Sequence, residues 1–287
     1  MRVVVTGAGG QLGTDVFKLF SSNGHEVLGC DRTKLDITNQ AECNQVIDAF
    51  QPDAVIHCAA YTAVDAAESD VDGAYLINAV GTRNIAVAAE KIGAKLVYIS
   101  TDYVFDGTST TAYREYDNTD PQSIYGQSKR AGEILAQTLN SRYFIVRTSW
   151  VYGAHGNNFV KTMLKLGQEK PELQVVHDQK GSPTYTVHLA EFLLELVDTE
   201  CYGIYHASGT GECTWYEFTR EIFEQAKEIL NVKITANLIP CSTEQFPRPA
   251  PRPSNSVMDH VSIRTNGFKD FPHWKDGLSE FLNIYDY

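Results

Sequence analysis

The stretch Tyr125-Gly126-Gln127-Ser128-Lys129 sets a phenol and an ammonium four residues apart. On a helix that spacing puts both side chains on one face, one turn from each other. A phenol titrates near ~10 in water, and a neighbouring cation favours its phenolate. Such a pair can hand a proton to a carbonyl oxygen while a hydride reaches the carbon. Many helices carry this spacing by chance, so its meaning depends on what accompanies it. Ser100-Thr101-Asp102-Tyr103 closes a predicted strand. There the Thr101 hydroxyl either shares the hydrogen bond to the same carbonyl or only caps the strand. Tyr125, Lys129 and Thr101 are the candidate catalytic groups.

A hydride needs a carrier, and the chain begins with a candidate cradle for one. Gly7-x-x-Gly10-x-x-Gly13 follows the short strand Arg2 to Thr6 and opens a helix. Gly7 permits a tight turn, Gly10 lets backbone N–H groups approach a pyrophosphate, and Gly13 lets the helix pack close to the sheet. The spacing differs from G-x-G-x-x-G, although Gly9 keeps the loop glycine-rich. Asp31 ends the second predicted strand, His25 to Cys30, where an acid could accept from the ribose 2′-OH of NADH. Arg32 beside it could instead hold the 2′-phosphate of NADPH, or stand free in solvent.

Stepping along the chain, strands and helices alternate. Helices are expected over 41–50, 74–91 and 128–139, and strands over 54–59, 95–100 and 143–148. This pattern predicts an α/β fold: a Rossmann-type doubly wound parallel sheet with helices on both faces. Ligands of such sheets bind beyond the carboxyl ends of the strands. Residues 1–150 form the expected dinucleotide-binding domain, with returning segments from about 170–210. Residues 151–287 form mainly a smaller C-terminal substrate-binding lobe. In it, helices are expected over 158–167, 187–197, 215–230 and 275–284, and an edge strand over 232–239. Trp150 ends a strand with a flat face for a sugar or base, or else belongs to the core. Arg252 lies in a proline-rich run that could hold a guanidinium ready for a phosphate.

The chain has 287 residues, 43% hydrophobic and 21% charged, with a formal net charge of −12. That charge argues against a nucleic acid or an anionic membrane as partner. No apolar run is long enough to span a bilayer, and no signal segment is expected before the first strand. The six cysteines form no C-x-x-C pair and read as free thiols of a reducing compartment, so the cytoplasm is the expected location. The eight histidines are scattered, without the pairing of a zinc site.

Together these motifs resemble the extended short-chain dehydrogenase/reductase superfamily, over nearly the whole chain. The resemblance rests on Thr6 to Gly13, Leu35-Asp36-Ile37-Thr38, Ala59 to Asp65, Ser100 to Phe105, Tyr125 to Lys129 and Arg147 to Gly153. Gly156 to Phe159, Gly181-Ser182-Pro183-Thr184 and Arg252 to Ser256 complete it. It implies that Gly10, Gln11, Leu12 and Gly13 take the cofactor pyrophosphate, and that Asp36 and Ile37 lie by the adenine. Ala59, Ala60, Tyr61 and Thr62 would line the cofactor's middle. Tyr125 would donate the proton, and Lys129 would hold the nicotinamide ribose. Thr101, Asp102, Val104, Trp150, Asn158 and Arg252 would contact a dTDP-sugar.

The implied reaction is NAD(P)H-dependent reduction, NADPH ahead of NADH, of the C4 keto group of dTDP-4-dehydro-L-rhamnose to dTDP-L-rhamnose. That is the last step in making this sugar donor for cell-surface polysaccharide. A homodimer is a further implication. In some relatives a magnesium ion is held by acids resembling Asp15 and Glu191. Here Ala190 stands where a further acid would help, so no metal is carried over. Two alternatives share the fold. A sugar-nucleotide dehydratase would place a glutamate after Asp102, where this chain has Tyr103. A non-catalytic regulatory subunit could lose the Tyr125–Lys129 pair, which this chain keeps.

Overall fold

The computed structural model describes residues 1–285. The first half runs β1 (Arg2–Thr6), α1 (Gln11–Ser22), β2 (Glu26–Cys30), α2 (Gln40–Phe50), β3 (Ala54–His57), α3 (Val64–Ala67) and α4 (Val71–Tyr75). A π-helical turn, Leu76–Gly81, leads into α5 (Thr82–Lys91), followed by β4 (Lys95–Thr101), α6 (Ile124–Leu139) and β5 (Tyr143–Thr148). The second half runs β6 (Val151–Tyr152), α7 (Phe159–Glu169), β7 (Glu172–Val176), β8 (Lys180–Gly181), β9 (Thr184–Tyr185), α8 (Thr186–Val197) and β10 (Gly203–His206). It ends with β11 (Cys213–Thr214), α9 (Trp215–Ile229), β12 (Asn237–Cys241), α10 (Val261–Thr265) and α11 (Trp274–Ile284).

Six strands form one parallel sheet in the order β10-β5-β4-β3-β1-β2. Side chains of a strand alternate between faces, so a sheet covered on both sides needs apolar residues at every position. Val3 and Val5 meet α1 and α8 on one face through Val16, Phe20, Leu189 and Leu193. Val4 meets α2, α5 and α6 on the other through Ile47, Ile85 and Ala136. The strand order reverses between β1 and β3, and a crevice opens there beyond the strand ends, as the doubly wound plan requires.

A third core, with Tyr152, Leu164, Phe218, Ile222 and Phe281, holds α7, α9 and α11 together. Within 170–210, α8 and β10 pack into the central layers, whereas β7 pairs in parallel with β12 away from the main sheet. Several expected bounds differ. The helix expected over 74–91 is broken by the π-turn, which buries Asn78 at 1% exposure. The edge strand expected over 232–239 begins only at Asn237. Among the described residues no helix is long and apolar enough to cross a membrane.

Candidate active site

The crevice has a volume of about 1190 Å³ and is lined from the glycine loop to the ends of β4 and β5. The glycines at its closed end are required by close approach. Gly7 has φ +65°, and a Cβ there would lie 2.8 Å from the Ala59 nitrogen. A Cβ on Gly13 would run into the carbonyl oxygen of Gly7. The Gly10 N–H donates to the Gly7 carbonyl at 2.9 Å, which tightens the turn. Gly10 caps α1 without a side-chain bond, so the first-turn N–H groups are left for a ligand. A pyrophosphate fits this backbone, which a Cβ at Gly7 or Gly13 would distort.

Asp31, Arg32, Asp36 and Ile37 continue the crevice wall. Asp31 Oδ1 accepts from the Thr33 N–H at 2.9 Å and the Thr33 hydroxyl at 2.7 Å, and these bonds hold its carboxyl below the usual range. Asp36 is held low in the same way by Thr38. Ile37 is buried against Gly81, where a Cβ would meet its Cδ1 at 2.6 Å. Ala59, Ala60 and Thr62 line the middle of the crevice. Tyr61 does not. Its backbone is gripped by the Asn78 amide, at 2.8 and 3.1 Å, and its phenol hydrogen-bonds to Asp70. The expected cofactor contact of Tyr61 is thus limited to its backbone neighbourhood.

Tyr125, Lys129 and Thr101 come together at the crevice floor. α6 begins earlier than its sequence pattern suggested, because the Ser123 hydroxyl caps it by accepting the Gly126 N–H at 3.1 Å. Tyr125 therefore sits in the first turn, edge-on to Tyr103 with ring centres 5.5 Å apart. The expectation that Lys129 lowers the phenol is corrected here. Burial pushes Tyr125 up to about 12; Asp102 adds to that, and the Thr101 hydroxyl works against it. Lys129 instead donates to the Ile99 carbonyl at 2.6 Å and stands 4.1 Å over the Tyr98 ring. Burial draws its ammonium down to about 7. The Thr101 hydroxyl donates to Asp102 Oδ1 at 2.9 Å and accepts from the Tyr103 N–H at 3.2 Å. It must turn from Asp102 to serve a substrate.

The expected sugar-nucleotide contacts divide. Asp102 lines the crevice, is 2% exposed, and keeps Oδ2 without a hydrogen-bond partner. Burial pushes its carboxyl up to about 6. Trp150 also lines the crevice, at a left-handed φ of +48°. One indole face is already covered by Trp215, stacked with ring centres 3.5 Å apart. Val104 does not line the crevice and is fully buried with Phe105, Tyr113 and Met258. Asn158 does not line it either. Its Oδ1 caps α7 at Lys161, and its Nδ2 donates to Gln11 Oε1 at 2.9 Å and the Gly153 carbonyl at 2.8 Å. Through Gln11 it braces the glycine loop. Arg252 does not line the crevice. Its guanidinium donates to Asp65 at 2.8 Å, on a carboxylate it shares with Arg248.

Four residues to which the sequence alone assigns no role belong to the site. Ser149 and Trp215 line the crevice, and Asn78 and Arg147 brace it from behind. Arg147 was noted only as part of a motif. Nothing in local spacing announces Trp215, because the separate core of α7, α9 and α11 delivers it. Asp15 lies 3.5 Å from His155 Nε2, and among the described residues no group of three or more His, Cys, Asp or Glu side chains could hold a metal ion.

The family model described as the RmlD substrate binding domain matches residues 1–287. The spore coat polysaccharide biosynthesis protein SpsK of Bacillus subtilis is 44% identical, over 98% of this chain and 96% of its own. The dTDP-4-dehydrorhamnose reductase of Aggregatibacter actinomycetemcomitans is 43% identical, over 92% of each. The crystal structure of dTDP-4-dehydrorhamnose reductase from Bacillus anthracis in complex with NADP superposes with a TM-score of 0.94, at 48% identity and 98% coverage of both chains.

Proposed function

The chain belongs to the RmlD substrate-binding-domain family, and from that premise we propose that it reduces dTDP-4-dehydro-L-rhamnose to dTDP-L-rhamnose with NADPH. One observation carries the reading: a phenol and an ammonium one helical turn apart share a single crevice with a glycine cradle built for a pyrophosphate. When bound, NADPH would supply the hydride for C4 of the sugar. Gly10 to Gly13 hold the pyrophosphate on the open first turn of α1, and Lys129 holds the nicotinamide ribose. Tyr125 keeps its proton through the neutral range and releases it only as charge builds on the C4 oxygen, which shares it as the new hydroxyl forms. Thr101 turns its hydroxyl from Asp102 to the same oxygen. Asp102 accepts from a sugar hydroxyl with its spare oxygen. The remote thymidine diphosphate contributes binding energy that positions the sugar. The setting proposed is the cytoplasm, where the chain's unbridged thiols stay reduced.

A turnover assay tests this. dTDP-4-dehydro-L-rhamnose is supplied with NADPH or NADH, with and without magnesium, and loss of nicotinamide absorbance is followed. Oxidation with formation of dTDP-L-rhamnose is expected. Folded protein that binds NADPH but leaves this sugar untouched would exclude it as the substrate.

Two variants refine the picture. Asp31→Ala is expected to weaken NADH more than NADPH, read from the two dissociation constants, and equal losses would remove Asp31 as a reader of the ribose. Asp102→Asn is expected to raise KM for the sugar roughly tenfold, about the worth of one charged hydrogen bond, with NADPH affinity unchanged. The Asp102 carboxyl is raised to about 6, so its acceptor form is lost as pH falls through that value. KM of the parent enzyme should therefore climb below pH ~6, and that climb should be missing in Asp102→Asn.

A further inference from the structure

Tyr125, Lys129 and Glu133 stand at i, i+4 and i+8 of α6. One helix face thus carries a phenol at the crevice, an ammonium beneath it, and a carboxylate one turn deeper. The proposed chemistry uses the first two. Glu133 is 0% exposed, and both its oxygens are fully engaged. Oε1 accepts from the Ser100 hydroxyl at 2.6 Å and Arg147 Nε at 2.8 Å. Oε2 accepts from Arg147 Nη2 at 2.9 Å and Arg130 Nη1 at 3.3 Å.

On β3, burial and the Lys129 ammonium draw His57 down to about 3, so its ring is neutral. From β5 comes Arg147, whose Nη1 reaches His206 of β10 at 3.3 Å and the Glu115 carbonyl at 3.3 Å. Burial and Arg147 hold His206 neutral. From β4 come Ser100 and Tyr98, whose phenol burial keeps protonated while it donates to the Lys129 carbonyl at 3.3 Å. Beyond β3, the Cys58 thiol is pushed up to about 12 and so carries no charge at neutral pH. Two groups favour the charged form of Lys129, Glu133 and Cys58. With the thiol neutral, the anion acting on Lys129 is Glu133, one turn along the same helix face, through its field rather than a direct ion pair. A buried ammonium without a counter-charge is unstable and sheds its proton.

We propose that Glu133 is a positioning residue for the reaction, acting through Lys129: its carboxylate keeps an ammonium beneath the bound dinucleotide. This rests on the assignment of Lys129 to the nicotinamide ribose. Arg147 and Ser100 hold the carboxylate in place, Ser100 from the crevice wall and Arg147 from behind it.

The test reads NADPH dissociation constants across neutral pH, by nicotinamide fluorescence, for the parent, Glu133→Gln and Glu133→Asp. Binding by the parent should weaken as pH rises and Lys129 loses its proton. In Glu133→Gln the weakening should begin about one pH unit lower or more. Glu133→Asp keeps the charge and should restore the parent midpoint. The titration of the ligand's own 2′-phosphate is common to all three and cancels in the comparison. A Glu133→Gln midpoint equal to the parent's, with only the melting temperature lowered, would overturn the proposal, because a mere brace for Arg147 would behave that way. Should Glu133→Gln fail to fold, the pair Glu133→Gln/Arg147→Met removes the buried ion pair and leaves only the part-exposed Arg130 guanidinium without this partner. The acid-ward shift expected there is smaller, because the Arg147 charge leaves with the carboxylate, and a midpoint unmoved or moved to higher pH overturns the proposal. Binding is read rather than turnover, so an inactive keto-sugar assay would defeat the substrate assignment while leaving this result standing.

Discussion

Tyr125→Phe is expected to lower kcat by roughly 10²–10⁴ while NADPH affinity stays within about twofold, the signature of a lost proton donor rather than a lost binding group. The ring itself remains, and with it the edge-on contact to Tyr103 at 5.5 Å. Only the hydroxyl disappears, together with its interaction with Thr101. The phenol of the parent is pushed up to about 12, so it stays protonated at any pH an assay would use. Below pH ~9 its own titration should then leave no limb in the kcat profile. Single-turnover measurement at saturating NADPH separates chemistry from release. A kcat equal to the parent's would remove Tyr125 as the donor and direct attention to Thr101 or an ordered water.

Arg147→Met should give the largest loss of stability of any single change considered. The guanidinium and the Glu133 carboxylate are 2% and 0% exposed, and they pair through two bonds at 2.8 and 2.9 Å. Removing one partner of a buried pair strands the other charge, which costs about 3–5 kcal/mol. A domain of this size has only about 5–15 kcal/mol in total. For a chain of this length that loss corresponds to a melting temperature lower by roughly 6–20 °C. Arg2, paired with Glu26 at 3.1 Å but 41% exposed, provides the contrast. Arg2→Met should cost less than about 1 kcal/mol, since water and salt already screen that pair. Combining Arg147→Met with Glu133→Leu removes the stranded charge and should recover part of the loss. Calorimetry on the three variants decides it. A double variant no better than Arg147→Met would mean that the packing of the arginine stem, not its charge, holds this region.

What the sequence determined was local. The apolar runs of β1, β3, β4 and β5 could be read because a sheet buried on both faces favours apolar residues along them, leaving polar ones such as Ser100 and Arg147 to their carboxyl ends. The glycine cradle was legible because steric limits act between residues close in sequence: Gly7 and Gly13 meet each other's backbone. Tyr125 and Lys129 were legible because four residues is one helical turn. Tertiary structure decided the rest, since it depends on which surfaces cover one another. Burial, not the neighbouring ammonium, sets the phenol of Tyr125, and the Ile99 carbonyl claims Lys129. Val104 and Asn158 carry the residue types of a binding site yet face a core and a helix cap. Arg252 meets Asp65, nearly two hundred positions earlier in the chain, and Trp215 arrives over Trp150 from a separate core. Spacing along a chain reports geometry only within an element, whereas desolvation and long-range pairing exist only once the elements have packed.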